Sequence, residues 1–286
     1  MISVIIPCSN PKGDLLRRAI ESIAIQSYKD LEIVICSDNN TIEVLEQIRQ
    51  IANEFSDLSI KVTENRKKRG ISNARNQAAT VSSGEWLVWL DHDDTLDKQC
   101  LEMLLNNAVF EKKNYVIGKC NCISENVSCI KSSKKYYEMY RKYKKTKSDP
   151  FLTHVVAIQP QMINKQVFLD MGGFNPEYKK AELTEFFLKY LWLYGEDSLF
   201  FCEDAIYNYY RIYEGTVSSN REQLFNYRKK ALLEYARKMN IDIDDIVYLG
   251  KKSEDGAQLY LGIKNGNLQI PEYAISSLKN MDIIVV

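Results

Sequence analysis

Within the first hundred residues, short apolar runs ended by polar turns alternate with segments of helical periodicity, and few folds accept that alternation. Ile2 to Ile6 is an apolar run met by Pro7 and reads as a buried strand. Asp14 is placed to cap a helix whose apolar face is Leu15, Leu16, Ala19, Ile20, Ile23 and Ala24. Leu31 to Cys36 reads as a second buried strand, ended by Ser37, Asp38, Asn39 and Asn40. A helix over Ile42 to Phe55, a short strand at Ile60 to Val62 and a helix over Ile71 to Val81 follow. Trp86 to Leu90 is apolar on both faces, as expected of a central strand covered from each side. Strands and helices alternating at these lengths predict a mostly parallel α/β sheet.

In such sheets ligands bind beyond the carboxyl ends of the strands. Those ends here hold Pro7, Cys8 and Ser9, then Asp38 and Asn39, then Asp91, His92, Asp93 and Asp94. The polar chemistry is therefore gathered where the architecture places a site.

Composition narrows the classes further. Of 286 residues, 45% are hydrophobic, with only 12 Gly and 6 Pro, which excludes a disordered or collagen-like chain. Lys plus Arg and Asp plus Glu both number 38, so no overall charge draws the chain to nucleic acid, and no nucleic-acid partner is expected. No apolar run reaches the ~20 residues that span a bilayer, and the start lacks a signal-peptide pattern. Seven cysteines and two histidines, His92 and His154, give no zinc spacing, so reduced buried thiols and a cytoplasmic setting are expected.

The middle of the chain is less regular. Gln99 to Phe110 reads as a helix, Tyr115 to Ile117 and Val155 to Ile158 as strands, and Lys165 to Met171 as a helix closed by Gly172 and Gly173. Ala181 to Tyr194 is a strongly apolar helix, Ile206 to Arg211 a tyrosine-rich strand and Arg221 to Met239 a charged helix. Asn240 to Val286 carries no readable motif, although Met281 to Val286 resembles a strand, and the chain is open to being part of a longer protein.

Asp91 and Asp93 share one side of an extended chain and can face one ion. Crowded carboxylates raise each other's pKa, and a hard divalent cation relieves this while leaving positions open for phosphate oxygens. The other reading of the same residues is a solvated acidic turn that caps the next helix through Asp94 or Thr95.

Six segments, in order, resemble the family 2 glycosyltransferases, inverting nucleotide-sugar enzymes. They are Ile2 to Pro7, Glu32 to Thr41, Gly70-Ile-Ser-Asn-Ala-Arg75-Asn76, Ser83 through Asp94, Gly172-Gly173-Phe174-Asn175 and Tyr210-Arg211-Ile212. The resemblance implies the α/β GT-A fold, a Rossmann-like, mostly parallel mixed sheet flanked by helices with a small helical or irregular C-terminal extension. It implies a domain at 1–220, split into a nucleotide-sugar-binding half (1–98) and an acceptor half (99–220), with 221–286 of unknown role. Asp38 matches the residue that recognises uracil, Arg75 one near the nucleotide, and Asp91 a ribose or metal-shell carboxylate. Asp93 matches the principal ligand of Mn²⁺ or Mg²⁺, Pro7 and Ser9 line the nucleotide pocket, and His92 belongs to the same turn. The implied partners are a UDP-sugar donor and a glycan or lipid-linked acceptor in surface polysaccharide synthesis.

Two positions depart from the family pattern. Where the family carries its acceptor-activating base, this chain has Leu183, with Glu182 and Glu185 as nearby substitutes one helical turn apart. Both also suit a helix first turn, where the dipole favours acids. Tyr213 stands where the family commonly has His. An active enzyme using Glu182 and a catalytically impaired nucleotide-sugar-binding homologue are both consistent with these changes. A metal-dependent nucleotidyltransferase is disfavoured, because Pro7 to Gly13 holds only one glycine. Residues 131–147 carry eight basic residues and four tyrosines against one glutamate, which reads either as a solvated loop or as an acceptor lid or membrane-facing patch, peripheral on the inner face.

Overall fold

Central strands buried on both faces build the first half of the molecule, as seen in a computed structural model that describes residues 1–66, 69–123, 159–210, 221–240, 246–249 and 260–263. Strands β1 (Ile2–Cys8), β2 (Leu31–Asp38), β3 (Ile60–Asn65) and β4 (Trp86–Trp89) are joined through helices α1 (Leu15–Ala24), α2 (Ile42–Asn53) and α3 (Ile71–Val81). β1 pairs in parallel with both β2 and β4, and β2 with β3. Beyond β4 the sheet turns antiparallel through β7 (Gln161–Asn164) and β6 (Tyr115–Ile123), then continues to β8 (Leu199–Tyr210) and β5 (Thr95–Leu96). The eight-stranded order is β3-β2-β1-β4-β7-β6-β8-β5, so the sheet is mixed and only its first half is parallel.

One face of the sheet, with Val4, Ile6, Ile33, Ile35 and Val88, packs under Leu16, Ile20 and Ile23 of α1 and under Leu101 and Leu104 of α4 (Cys100–Phe110). The alternate residues meet α3, whose buried Ala74 and Ala78 let the helix lie close to β1 and β2. α5 (Lys165–Asp170) follows β7 directly.

β1 runs to Cys8, past the stop expected at Pro7. Leu90 N–H donates to the carbonyl of Ile5 at 3.0 Å, so Pro7 takes the next position that faces β4. Proline has no N–H to offer there. The β1–β4 ladder ends, and the chain after Leu90 is released into a turn while β1 still pairs with β2 through Cys8 and Ser37.

Several expectations shift at their edges. Asp14 occupies the position before α1, but its carboxylate pairs with Arg17 and makes no capping bond. Two short paired strands, β9 (Ile246–Leu249) and β10 (Tyr260–Ile263), lie in the stretch that shows no motif. Residues 131–147, the strand expected at 155–158, Tyr213 and the strand expected at 281–286 lie outside the described residues. Cys8, Cys36, Cys100 and Cys202 are buried free thiols, as expected, and Cys120 is a half-buried one.

The chain divides into two packed units. The first comprises Met1–Asn121, Gln159–Lys179 and Asp197–Tyr210 and contains the large sheet. The second contains α6 (Glu182–Tyr194), α7 (Arg221–Lys238), β9 and β10. Among the described residues no helix is long and apolar enough to cross a membrane.

Candidate functional site

The end of the parallel ladder sets the site of the first unit. Pro7 is buried at the end of β1 and Ser9 is half-buried just beyond it. Asn40 ties this loop to the next strand end, donating to the Cys8 carbonyl at 2.8 Å and to Ser37 Oγ at 2.9 Å, and accepting from Asn10 N–H at 2.8 Å.

Asp38 closes β2 with 6% of its surface exposed. Its Oδ1 accepts from Asn65 Nδ2 at 2.8 Å, and the Gly70 amide donates to both carboxylate oxygens at 3.0 and 3.1 Å. Gly70 opens α3 with φ +136°, a conformation that a side chain would strain. The Asp38 carboxylate is therefore pinned between the end of β3 and the start of α3 by partners distant in sequence.

The turn after β4 carries Asp91, His92, Asp93 and Asp94 on a tertiary frame. Arg75 of α3, fully buried, donates from Nη2 to Asp91 Oδ1 at 2.7 Å, and its guanidinium lies 5.4 Å from the Phe174 ring. Phe174 in turn packs against Trp89 and Phe168 with centroids 5.0 and 5.5 Å away. Asn76, next to Arg75, clamps the same segment: its Nδ2 donates to the Phe174 carbonyl at 2.8 Å and its Oδ1 accepts from Phe174 N–H at 2.9 Å. Gly173 must be glycine here, because a Cβ would sit 2.6 Å from Asn76 Oδ1 and φ is +68°.

Asp94 is buried. Tyr207 Oη donates to its Oδ2 at 2.5 Å and Tyr210 N–H to its Oδ1 at 2.8 Å, while Asp91 N–H donates to Tyr207 Oη at 3.2 Å. Burial first, then Asp91 and Asp93, pushes the Asp94 carboxyl well above its ordinary range, against the pull of the two tyrosines. Burial and then Asp91 likewise raise Asp93, opposed by His92. Asp94 does not cap the next helix. It anchors the turn to β8, a role that nothing in its sequence neighbourhood signals, since its partners lie more than a hundred residues away.

These carboxylates suit a divalent cation. They are hard oxygen donors whose mutual repulsion a cation would relieve, and Mg²⁺ or Mn²⁺ needs few protein ligands when phosphate and water complete the shell. Among the described residues no group of three or more His, Cys, Asp or Glu side chains is placed to hold a metal ion.

The structure thus brings Pro7, Ser9, Asp38, Asp91, His92 and Asp93 to one end of the sheet, with Arg75 beneath. Glu182 and Glu185 belong to the second unit. α6 begins at Glu182, entered through Ala181 in a left-handed conformation with φ 60°. Glu185 is buried, accepts from Tyr235 Oη at 2.6 Å, and is raised in pKa by that burial despite the tyrosine.

Residues 3–172 match the family model described as Glycosyl transferase family 2. The chain is 34% identical over 132 residues to the Escherichia coli "UDP-Glc:alpha-D-GlcNAc-diphosphoundecaprenol beta-1,3-glucosyltransferase WfgD", covering 43% of this chain and 49% of that protein, about half its length. Among solved structures it is similar to Staphylococcus aureus TarS 1–349 in complex with UDP-GlcNAc, with TM-score 0.61, 18% identity, and coverage of 84% of this chain and 70% of that one. It is also similar to the mannosyltransferase PcManGT from Pyrobaculum calidifontis in complex with GDP-Man and Mn²⁺, with TM-score 0.59, 18% identity, and coverage of 84% and 64%. The sheet and its helices have the GT-A fold of these neighbours.

Proposed function

Since the chain belongs to glycosyl transferase family 2, we propose that it transfers a sugar from a UDP-sugar to a lipid-linked glycan acceptor, with inversion and with a divalent metal, in surface polysaccharide synthesis. The observation that carries this reading is the pinned Asp38 carboxylate at the end of β2, on the same sheet edge as the Asp91-His92-Asp93 turn. A fixed carboxylate there accepts from the uracil N3–H, and the aspartate turn stands where a diphosphate follows. The similarity to a UDP-Glc-dependent enzyme acting on a diphosphoundecaprenol-linked sugar, and to a nucleotide-sugar complex holding Mn²⁺, supports the donor, acceptor and metal.

In this mechanism Asp93 would be the principal ligand of the metal, and Asp91, held by Arg75, lies two residues before it in the same turn. The bound ion would neutralise charge on the departing nucleoside diphosphate. Pro7 and Ser9 contribute backbone groups to the nucleotide pocket, and His92 belongs to the same turn as Asp91 and Asp93. Glu182 is assigned as the base that takes the acceptor hydroxyl proton on the face opposite the leaving group. The assignment rests on its neighbourhood to the family's base position. Glu185, engaged by Tyr235 inside the helix pair, is the weaker candidate.

Calorimetric titration with UDP, GDP and CDP, with and without Mn²⁺, tests the proposal. UDP-selective, Mn²⁺-dependent binding is the expected result, and no binding of any nucleotide would sink it. Turnover of a UDP-sugar with a diphosphate-linked polyprenyl acceptor, lost in Glu182→Gln, separates an active enzyme from a binding-only homologue.

A further inference from the structure

Four buried side-chain polar atoms without hydrogen-bond partners among the described residues lie on β4, at the start of β7 and two residues before it: Trp89 Nε1, Gln161 Nε2, and both Nε2 and Oε1 of Gln159. Each would cost stability if left unmet, so a protein keeps such atoms for something that meets them. Their placement is not scattered. Gln161 pairs across the sheet with Ile117, and continuing the register that sets Val88 opposite Met162 brings Trp89 level with Gln161. Gln161 Oε1 already accepts from Tyr115 Oη at 2.7 Å, so the Gln161 side chain is held in place with its Nε2 donors uncommitted. The Trp89 indole is fixed between the rings of Phe168 and Phe174, each 5.0 Å away. Gln159 lies two residues before Gln161, toward the sheet end that bears Asp91, and is 5% exposed against 0% for Gln161 and Trp89.

We infer that the Gln159 carboxamide, backed by the Gln161 and Trp89 donors, reads the hydroxyl groups of the donor's sugar ring and so sets which sugar is accepted. A carboxamide offers a donor and an acceptor together, and each hydroxyl can serve as both, which matches a neutral hexose. A site built to bond a particular hydroxyl rejects a ring lacking it far more strongly than an apolar wall can, because its own buried polar atoms are then left unpaired.

This inference rests on reading the site as one for a UDP-sugar, and the experiment separates the two. UDP and a panel of UDP-glucose, UDP-galactose and their N-acetylated forms are titrated in Mn²⁺ against the wild type, Gln159→Leu and Gln161→Leu. The expected result is a fall of about tenfold in the ratio of best-sugar to UDP affinity in Gln159→Leu, with selectivity within the panel flattened and UDP affinity within twofold of wild type. Retained UDP affinity also certifies that each variant is folded. An unchanged ratio and unchanged selectivity in both variants, with or without a gain in melting temperature, would mean that the amides hold only trapped water and would overturn this inference alone. A wild type that binds no UDP would overturn the donor reading and this inference with it.

Discussion

Arg75 is closed off from solvent, yet its guanidinium holds a carboxylate that is not: Asp91, 2.7 Å away, keeps 30% of its side chain exposed at the strand end. A buried cation thus supports a half-exposed anion in the position from which it would meet ligand. The arrangement makes the two acids of the turn unequal. Asp91→Asn removes the charge facing a buried guanidinium and is expected to cost about 3 kcal/mol of stability. Asp93→Asn relieves repulsion and is expected to leave the ligand-free melting temperature unchanged or raised, while Mn²⁺-dependent UDP binding falls at least tenfold. Thermal melts and calorimetry on both variants check the contrast.

Asn76 and Phe174, 98 residues apart in the chain, exchange two hydrogen bonds through one side-chain amide. Asn76→Asp keeps the acceptor and loses the donor, leaving the Phe174 carbonyl without that bond, and is expected to cost about 2 kcal/mol in urea unfolding. Gly173→Ala is expected to be at least as damaging, because the new Cβ meets Asn76 Oδ1 at 2.6 Å. If Gly173→Ala melts like the wild type, the clamp is not as described.

At the opposite end of the strands, Glu32 accepts from Ser3 Oγ at 2.6 Å, from the Gly84 amide at 3.2 Å and from the Ser83 amide, and pairs with Lys61 at 2.9 Å. Burial works against its charge, but Ser3, Ser83 and Lys61 prevail and hold its carboxyl down at about 2. A depressed folded value means that its contribution is complete above the unfolded value of about 4.3 and is lost as pH falls toward 2. Glu32→Gln is expected to be less stable than wild type at pH 7 and to converge with it by about pH 2. Melting temperatures across that range measure it.

Glu185 carries the opposite sign. Its folded value is raised, mainly by burial, while Tyr235, Lys189 and Lys238 oppose the rise and Glu234 adds to it. A carboxyl of this kind costs stability progressively as pH rises from the unfolded value of about 4.3 through the folded one. Glu185→Gln, which can still accept from Tyr235, is therefore expected to melt higher than wild type at pH 8 and nearly alike at pH 4. The same variant is expected to keep most transfer activity, whereas Glu182→Gln loses it; the reverse outcome would make Glu185 the base.

Legibility varied along the chain for physical reasons. β2 and β4 are covered on both faces, so their apolar runs stand out, and the polar strand ends follow directly. The extents of β1 and β3 were less legible. Pro7 is harmless only because β4 has already left its side, and Asn65 closes β3 by bonding Asp38 across the ladder. Neither fact has a local signature. β9 and β10 lack one too, as short strands seldom rise above their surroundings.

The amino-acid sequence by itself determined the strand–helix alternation, the strand ends at which a ligand can sit, and the family, because periodicity and spaced motifs are local properties of a chain. Tertiary structure alone decided how the acids differ: Asp38 pinned by Gly70, Asp91 held by buried Arg75, Asp94 spent on Tyr207 and Tyr210, and Asp93 half-buried beside them with its carboxyl raised by burial and by Asp91. Carboxylates of identical chemistry acquire different roles only through burial and through partners brought in from elsewhere in the chain, and neither can be read from their order.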